Sequence, residues 1–303
     1  MKRVLPLFAL IGMIFLAGCL GMQGEEKEKK ITGRGVVITD LTVEPEELEP
    51  GMQAMVSLTI QNQGGAKATN IVPTLIGLPD DWQGKDSPDP SQIAELIPPD
   101  PERGVPEGQE AYVTWMLTAP SKKVTMTYDF QVRITYDYET HSSSVIRLLT
   151  MDYYKSLTQT EKETKNWGVI SSEYTDGPLV VSVSAPSPII SDFSKFTNGL
   201  PIWVKIENEG GGSVVGDIQM NANGVRTCKF GNTTGTSLNI SLISNDYGRF
   251  VCYLDIGPNS TFINFKDFEP SFDFTYKYSL DKWATIKVLK EITLGAVNPS
   301  MIK

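Results

Sequence analysis

The stretch from Val124 to Tyr138 constrains this chain more than any other. Val124, Met126, Tyr128, Phe130, Val132, Ile134, Tyr136 and Tyr138 occupy every second position, and Thr125, Thr127, Asp129, Gln131, Arg133, Thr135 and Asp137 fill the gaps. A period of two puts one face of an extended strand in a core and the other in water. So long a run needs a bend or a bulge. The polar stretch Glu139 to Ser143 reads as a turn, with Ser144 to Thr150 as the hairpin partner, and His141 falls in that turn among Thr140, Ser142 and Ser143.

Short β-type runs precede it. Val36, Val37 and Ile38 lead to Leu41 and Val43; PEELEPG (Pro45 to Gly51) turns the chain; Met55 to Ile60 alternates; and Asn62 to Gly65 are turn residues able to adopt positive φ. Ile71 to Leu78 and Ala111 to Leu117 add two more strands, and the Pro- and Asp-rich loop from Gln83 to Gly108 holds at most a short strand at Ile93 to Ile97.

The chain then repeats itself. Ile60, Gln61, Asn62, Gln63, Gly64 and Gly65 correspond to Ile206, Glu207, Asn208, Glu209, Gly210 and Gly211 at an offset of 146, and Tyr136, Asp137 and Tyr138 to Tyr276, Lys277 and Tyr278 at an offset of 140. Val145 to Leu149 continue the second match onto Thr285 to Leu289. Two anchors in the same order indicate a duplicated module. Within the second copy, Asn223 and Gly224 between Asp217 to Ala222 and Val225 to Phe230 signal a type I′ hairpin.

The N-terminus predicts an exported address. Lys2 and Arg3 precede an uncharged apolar run from Val4 to Gly18, which reads as a signal sequence. Its end, Leu16, Ala17, Gly18 and Cys19, resembles the lipobox of prokaryotic lipoproteins, which implies cleavage before Cys19 and a lipid on that thiol. The alternative is an uncleaved anchor, since the apolar run continues to Met22 and approaches the ~20 residues of a membrane span. Both place the bulk of the chain outside the cell. With Cys19 taken by lipid, Cys228 and Cys252 are the only intramolecular pair, and an oxidising exterior favours a disulfide over two buried thiols.

The succession LTVEPEELEPG, VSLTIQNQGG, IVPTLIGLPDDW and PEGQEAYVTWMLTAP, from about Gly35 to Thr150, resembles the bacterial and archaeal immunoglobulin-like modules typified by CARDB and the domain associated with NPCBM glycosidases. That resemblance implies a sandwich fold in a prokaryotic source, archaeal or bacterial. It barely speaks to function, because such modules serve as spacers, adhesins and accessory domains alike.

The organisation expected is therefore all-β: a signal at 1–18, lipidated Cys19 and a flexible tether at 19–33, and two tandem immunoglobulin-like β-sandwiches. These sandwiches occupy 34–150 and 178–292, with a connection at 151–177 and a tail at 293–303. Tyr153, Tyr154 and Trp167 are positioned to pack the connection against one domain.

Candidate chemistry is sparse. Composition is 40% hydrophobic and 21% charged, ordinary for a globular chain. The net charge of −9, becoming −11 once Lys2 and Arg3 leave with the signal, has no basic patch, which argues against nucleic acid and against electrostatic adhesion to anionic lipid. No G-x-S-x-G elbow accompanies His141, the single histidine. Gly210, Gly211, Gly212 and Gly216 lack phosphate-loop spacing and a following helix. Asp80, Asp81, Asp86 and Asp89 share one loop and could offer calcium their oxygens, but Pro79, Pro88 and Pro90 and the absence of EF-hand spacing favour a plain exposed loop.

No catalytic residue, metal or cofactor is assigned. Asn232, Asn239 and Asn259 begin N-x-S/T sequons. The aromatic stripe, joined by Trp82, Trp115 and Trp203, is assigned to the cores; a sugar- or protein-binding platform would need those rings exposed. The reading is a non-catalytic surface lipoprotein that binds, adheres or scaffolds through protein partners, the alternative being a carbohydrate-binding accessory lipoprotein.

Overall fold

Nearly every apolar run bounded by turn residues becomes a strand in the computed structural model, which describes residues 35–164, 167–186, 199–256 and 262–291. The signal segment, Cys19, the tether, Asn259 and the tail lie outside the described residues. In chain order the strands are β1 (Val36–Glu44), β2 (Glu47–Leu48), β3 (Gln53–Asn62), β4 (Ala68–Ile76), β5 (Ile93–Leu96), β6 (Glu110–Thr118) and β7 (Met126–Leu149). Two short helices, α1 (Met151–Ser156) and α2 (Gln159–Thr164), precede β8 (Val169–Tyr174), β9 (Leu179–Ser184) and β10 (Leu200–Asn208). Then come β11 (Ser213–Asn223), β12 (Val225–Phe230), β13 (Thr233–Gly235), β14 (Ser237–Ile240), β15 (Tyr247–Leu254), β16 (Phe265–Phe268) and β17 (Ser271–Val288).

The strands form three sheets. One orders β1-β3-β6, a second β13-β12-β15-β10-β9, and a nine-stranded sheet runs β14-β11-β17-β7-β4-β5 with β2 on β17 and β8 and β16 on β7. The inward residues of all three join one continuous core, including Val56, Leu58, Trp115, Phe130, Ile206, Phe250 and Phe274. Each large side chain fully buried there contributes about 2–3 kcal/mol relative to exposure.

β7 is the axis of the molecule, and here the sequence expectation is corrected. No hairpin forms at Glu139 to Ser143: the strand runs unbroken from Met126 to Leu149. The period of two continues through that stretch, with small hydroxyl side chains in place of apolar ones, so Thr140, Ser142 and Ser144 are buried while His141 and Ser143 face outward. Hydroxyls can be buried there because most find partners: Thr140 Oγ1 meets Tyr276 Oη at 2.9 Å and Ser144 Oγ meets Ser172 Oγ at 2.9 Å. His141 is a strand residue rather than a turn residue, with Nδ1 2.6 Å from Asp273 Oδ1.

The partner of β7 is β17, antiparallel from Met126↔Val288 to Ser143↔Ser271. Opposite charges on the outer face mark this register. Arg133 makes two 2.7 Å bonds to Asp281, Lys277 lies 3.1 Å from Asp137, and His141 faces Asp273. Like charges directly opposite would oppose this pairing. Because the repeat carries Asp137 onto Lys277, those two equivalent residues pair with each other at the centre. The long strand of each copy thus lends half its length to the other copy's sheet.

The copies correspond in strand order as well as in sequence. β1-β3-β6 matches β9-β10-β15, and β7-β4-β5 matches β17-β11-β14. Their buried hydrogen bonds match too. Asn62 Nδ2 donates to Ala66 O (2.8 Å) and Leu96 O (2.9 Å), and its Oδ1 accepts from Gly64 N at 3.1 Å. Asn208 Nδ2 donates to Gly212 O and Asn245 O, both at 2.9 Å, and its Oδ1 accepts from Gly210 N at 3.3 Å. Tyr138 Oη accepts from Ala66 N at 3.1 Å as Tyr278 Oη accepts from Gly212 N at 2.8 Å. The repeated Asn therefore closes the turn after its strand, and the repeated Tyr holds the turn's far end.

The Asn223–Gly224 signal is half right. Gly224 takes φ +70, as turn chemistry requires. Yet β11 and β12 do not pair. β11 lies between β17 and β14, β12 between β13 and β15, and the turn carries the chain from one sheet to the other. The Cys228–Cys252 disulfide forms, joining directly opposed residues of β12 and β15 that are both fully buried.

The stretch 151–177 is more ordered than its composition suggests. Thr150 caps α1 by accepting from Tyr153 N at 3.2 Å. Leu149, Leu157 and Trp167 bury a small separate cluster with Tyr153 and Tyr154 against it. The chain then returns as β8 to pair with the second half of β7.

Candidate binding groove

Among the described residues β1 is the edge of its sheet and pairs with β3 alone. Opposite it, β17 is covered by β11 as far as Ser279 and by β2 from Lys287, leaving the backbone between without a strand among the described residues. A groove of about 650 Å³ lies there, lined by Leu41, Val43 and Glu44 of β1 and by Trp283, Ala284 and Thr285 of β17. Leu41, Val43 and Ala284 are partly buried against the core and give the groove an apolar floor, under a lining that Thr42, Thr127, Thr285, Lys287 and the glutamates make polar overall. Trp283 is 66% exposed. Glu46 and Glu47 border the groove, with Glu47 bound to Lys287 at 2.8 Å. An apolar floor, a free-standing indole and an uncovered backbone edge can receive an extended chain or a flat apolar surface.

A second surface is the outer face of the five-stranded sheet, where Trp203, Ser182, Ser184, Lys205 and Arg249 line a shallow depression of about 390 Å³. Trp203 is 45% exposed, which corrects its assignment to the core. It stands on an outward position of β10, between Val204 and Ile202, which are buried. Arg249 lies over the Tyr247 ring at 5.7 Å, and Lys205 pairs with Glu207. The other aromatics do belong to the core: Tyr128, Phe130, Tyr136, Tyr138, Trp82 and Trp115 are buried. The alternation of Leu200, Ile202, Val204 and Ile206 puts Trp203 on the other face of β10, but a period of two does not say whether that second face is covered. Trp283 went unrecognised for a related reason. Its neighbours Lys282 and Asp281 obscure the period where the strand loses its cover.

In the acidic loop two of the four carboxylates are held by lysines. Asp80 Oδ1 accepts from Lys85 Nζ at 2.6 Å, a hydrogen bond that lowers the carboxyl pKa and raises that of the ammonium. Asp81 pairs with Lys122. Asp86 and Asp89 are exposed, and no group of three or more His, Cys, Asp or Glu side chains is gathered for a metal among the described residues. Of the sequons, Asn232 sits exposed in the turn before β13 and Asn239 exposed on β14. No helix among the described residues is long and apolar enough to cross a membrane.

Four tyrosines dominate the centre. Burial raises the pKa of Tyr136 and Tyr276 well above the ordinary phenol value and that of Tyr138 and Tyr278 to about 12. Tyr278 Oη donates to Asn208 Oδ1 at 2.7 Å and Tyr138 Oη to Asp176 O at 3.1 Å. Tyr136 Oη has the Val36 backbone beside it but no partner in hydrogen-bonding geometry. These phenols are structural, closed off from solvent.

Compared with known proteins, residues 48–137 match the family model of the NPCBM-associated, NEW3 domain of alpha-galactosidase. With the antiparallel sheets, that match fits a β-sandwich module. Among solved structures the chain is similar to the secreted serine protease VesC from Vibrio cholerae, at 14% identity over 78% of this chain and 50% of that one, TM-score 0.20. It is also similar to the Enterococcus faecalis MSCRAMM ACE, which binds its ligands by the collagen Hug model (8% identity, 86% and 98% covered, TM-score 0.19). A third is the collagen adhesin CNA from S. aureus (11%, 86% and 94%, TM-score 0.11). The chain spans half the length of the first of these. At such TM-scores none of the three carries an argument. No curated protein matches the chain.

Proposed function

We propose that this chain is a non-catalytic surface lipoprotein whose two immunoglobulin-like modules, 34–150 and 178–292 about the connection 151–177, hold a partner protein at the outer face of a prokaryotic membrane. Cys19 carries the lipid, and 19–33 is the tether. The observation that carries the reading is the groove between β1 and β17, with its apolar floor, exposed Trp283 and uncovered strand edge. Crosslinking of intact source membranes, followed by detergent extraction and mass spectrometry, tests it. A reproducible protein neighbour crosslinked to the groove's side of the first module supports the reading, and a protein that travels alone removes it. In the same membranes Cys19→Ser releases the chain into the soluble fraction if Cys19 is the anchor; retention after signal cleavage defeats the lipid assignment.

A second reading, a carbohydrate-binding accessory lipoprotein, is favoured by Trp203 with its hydroxyl and cationic neighbours, and by the matched family's place in alpha-galactosidase. An exposed indole beside hydrogen-bonding side chains suits a sugar ring. A glycan array probed with the wild type and Trp203→Ala decides it: binding lost in the variant supports a sugar site, and no binding by the wild type dismisses one. Glycosylation at Asn232, Asn239 or Asn259 is read from the intact mass before and after enzymatic deglycosylation.

A further inference from the structure

The repeat supplies a template for what fills the groove. In the second copy's sheet, the edge of β7 equivalent to the open edge of β17 is not bare. At the offset of 140, Asp281, Trp283 and Thr285 correspond to His141, Ser143 and Val145. There β8 lies alongside: Thr175 N donates to His141 O at 2.8 Å, Ser143 opposes Glu173, Val145 opposes Ser171, and Arg147 N donates to Gly168 O at 2.8 Å.

Backbone direction on β17 shows that its edge is equally able to pair. Lys287 N donates to Glu46 O and Leu289 N to Leu48 O, both at 2.8 Å, and Ser279 pairs with Ser213 on the same side. Alternation in the ladder then turns the N–H and C=O groups of Asp281, Trp283 and Thr285 to that side as well. No described strand is hydrogen-bonded to them, although β1 packs against β17 nearby.

Burial records the difference. Ser142 and Ser144, beneath β8, are 0% and 2% exposed, whereas their equivalents Lys282 and Ala284 are exposed and half-buried.

We infer that the β17 edge from Asp281 to Thr285 is a docking site for an extended segment of a partner protein, which adds to the nine-stranded sheet antiparallel to β17 in the place β8 takes on β7. This rests on the protein-binding reading above and names how the partner is held. Residues of the segment opposite Ala284 face Leu41 and Val43 and must be small and apolar. Those opposite Trp283 lie beside the indole in a groove that Glu44 and Glu46 also line, which suits Lys or Arg through cation–π contact and charge. The partner segment therefore alternates small apolar and basic side chains.

The test uses the full chain in detergent and a library of displayed random peptides of about a dozen residues, long enough to span the edge. Enriched peptides are synthesised and titrated against the wild type, Trp283→Ala, Thr285→Pro, and Trp203→Ala on the opposite sheet. The expected result is enrichment of the alternating small and basic pattern, with affinity falling at least tenfold in Trp283→Ala and Thr285→Pro and unchanged in Trp203→Ala. Amide exchange at Trp283 and Thr285 should slow when peptide binds. Should Thr285→Pro fail to fold, Trp283→Ala and the exchange data decide. Three results overturn the inference: no peptide enriched, binding that survives both groove substitutions, or edge amides already protected in a concentration-dependent way by a second copy. If any of these appears while membrane crosslinking still yields a protein neighbour, protein binding stands and only the strand-addition site is lost.

Discussion

In the second half of β7 a strand from the chain itself covers the backbone from His141 to Arg147, whereas the equivalent stretch of β17 has no described strand hydrogen-bonded to it from Asp281 to Thr285. Away from those edges the halves agree closely, down to the Asn side chain that closes each turn and the Tyr hydroxyl that bonds it. The difference shows what duplication holds fixed. A buried polar group left without a partner is costly, so the internal framework resists divergence. An edge can bond to water, so one copy could cover it while the other left it open.

The hardest attempt to break this comparison is alkali. The raised phenols of Tyr136, Tyr138, Tyr276 and Tyr278 keep their protons in the folded chain after the unfolded chain has lost them. Their contribution is thus fully present below the unfolded phenol value near pH 10 and is lost as pH rises toward the folded values, about 12 for Tyr138 and Tyr278. Each should cost about 1.4 kcal/mol per pH unit in that window. Because two belong to each copy and all lie along β7 and β17, unfolding followed by tyrosinate absorbance and circular dichroism should be one transition. Two separated steps would mean that the copies are independent domains.

Next come Asn62→Ala and Asn208→Ala. Each removes a buried amide that satisfies several backbone groups, and each should destabilise by about 3 kcal/mol in urea unfolding. Unequal losses, differing by more than about 1.5 kcal/mol, would mean that the turns are alike in shape but not in energy.

The disulfide sharpens the contrast, since only the second copy has one. Replacing Cys228 and Cys252 by Ala opens a link of sequence separation 24 and should cost about 3 kcal/mol. Amide exchange should rise first in β12, β13 and β15; an equal rise in β1, β3 and β6 would show that the bond braces the whole molecule.

The smallest effects distinguish equivalent tyrosines. Tyr276→Phe loses the 2.9 Å bond to Thr140 and strands that hydroxyl, a cost of about 1–2 kcal/mol. Tyr136→Phe removes a hydroxyl that has no partner and should be within about 0.5 kcal/mol of the wild type, or more stable. Thermal melts of the two variants side by side give the answer.

Much of this was legible in the chain. The alternation from Val124 to Tyr138, the Asn and Gly turns, the paired anchors at Ile60/Ile206 and Tyr136/Tyr276, and the partnership of Cys228 with Cys252 are local patterns or arithmetic on residue types, and the strands, the repeat and the disulfide followed from them. The polar stretch Thr140 to Ser144 misled because burial of a hydroxyl depends on what lies across from it. Asn223 and Gly224 misled because turn chemistry fixes the local bend and leaves open which strands then pair. Of the candidate surfaces, neither the groove nor Trp283 had a sequence signal beyond the repeat itself.

By itself, then, the sequence determined an all-β chain with a repeated turn framework and an aromatic core, because side-chain period and backbone turn preference act within a few residues. Only the tertiary structure decided that β7 and β17 pair along their length, that Trp203 and Trp283 stand in solvent, and that one edge is covered while its twin is open. Those outcomes depend on which distant strands lie side by side, and an edge strand has the same period of two as a central one.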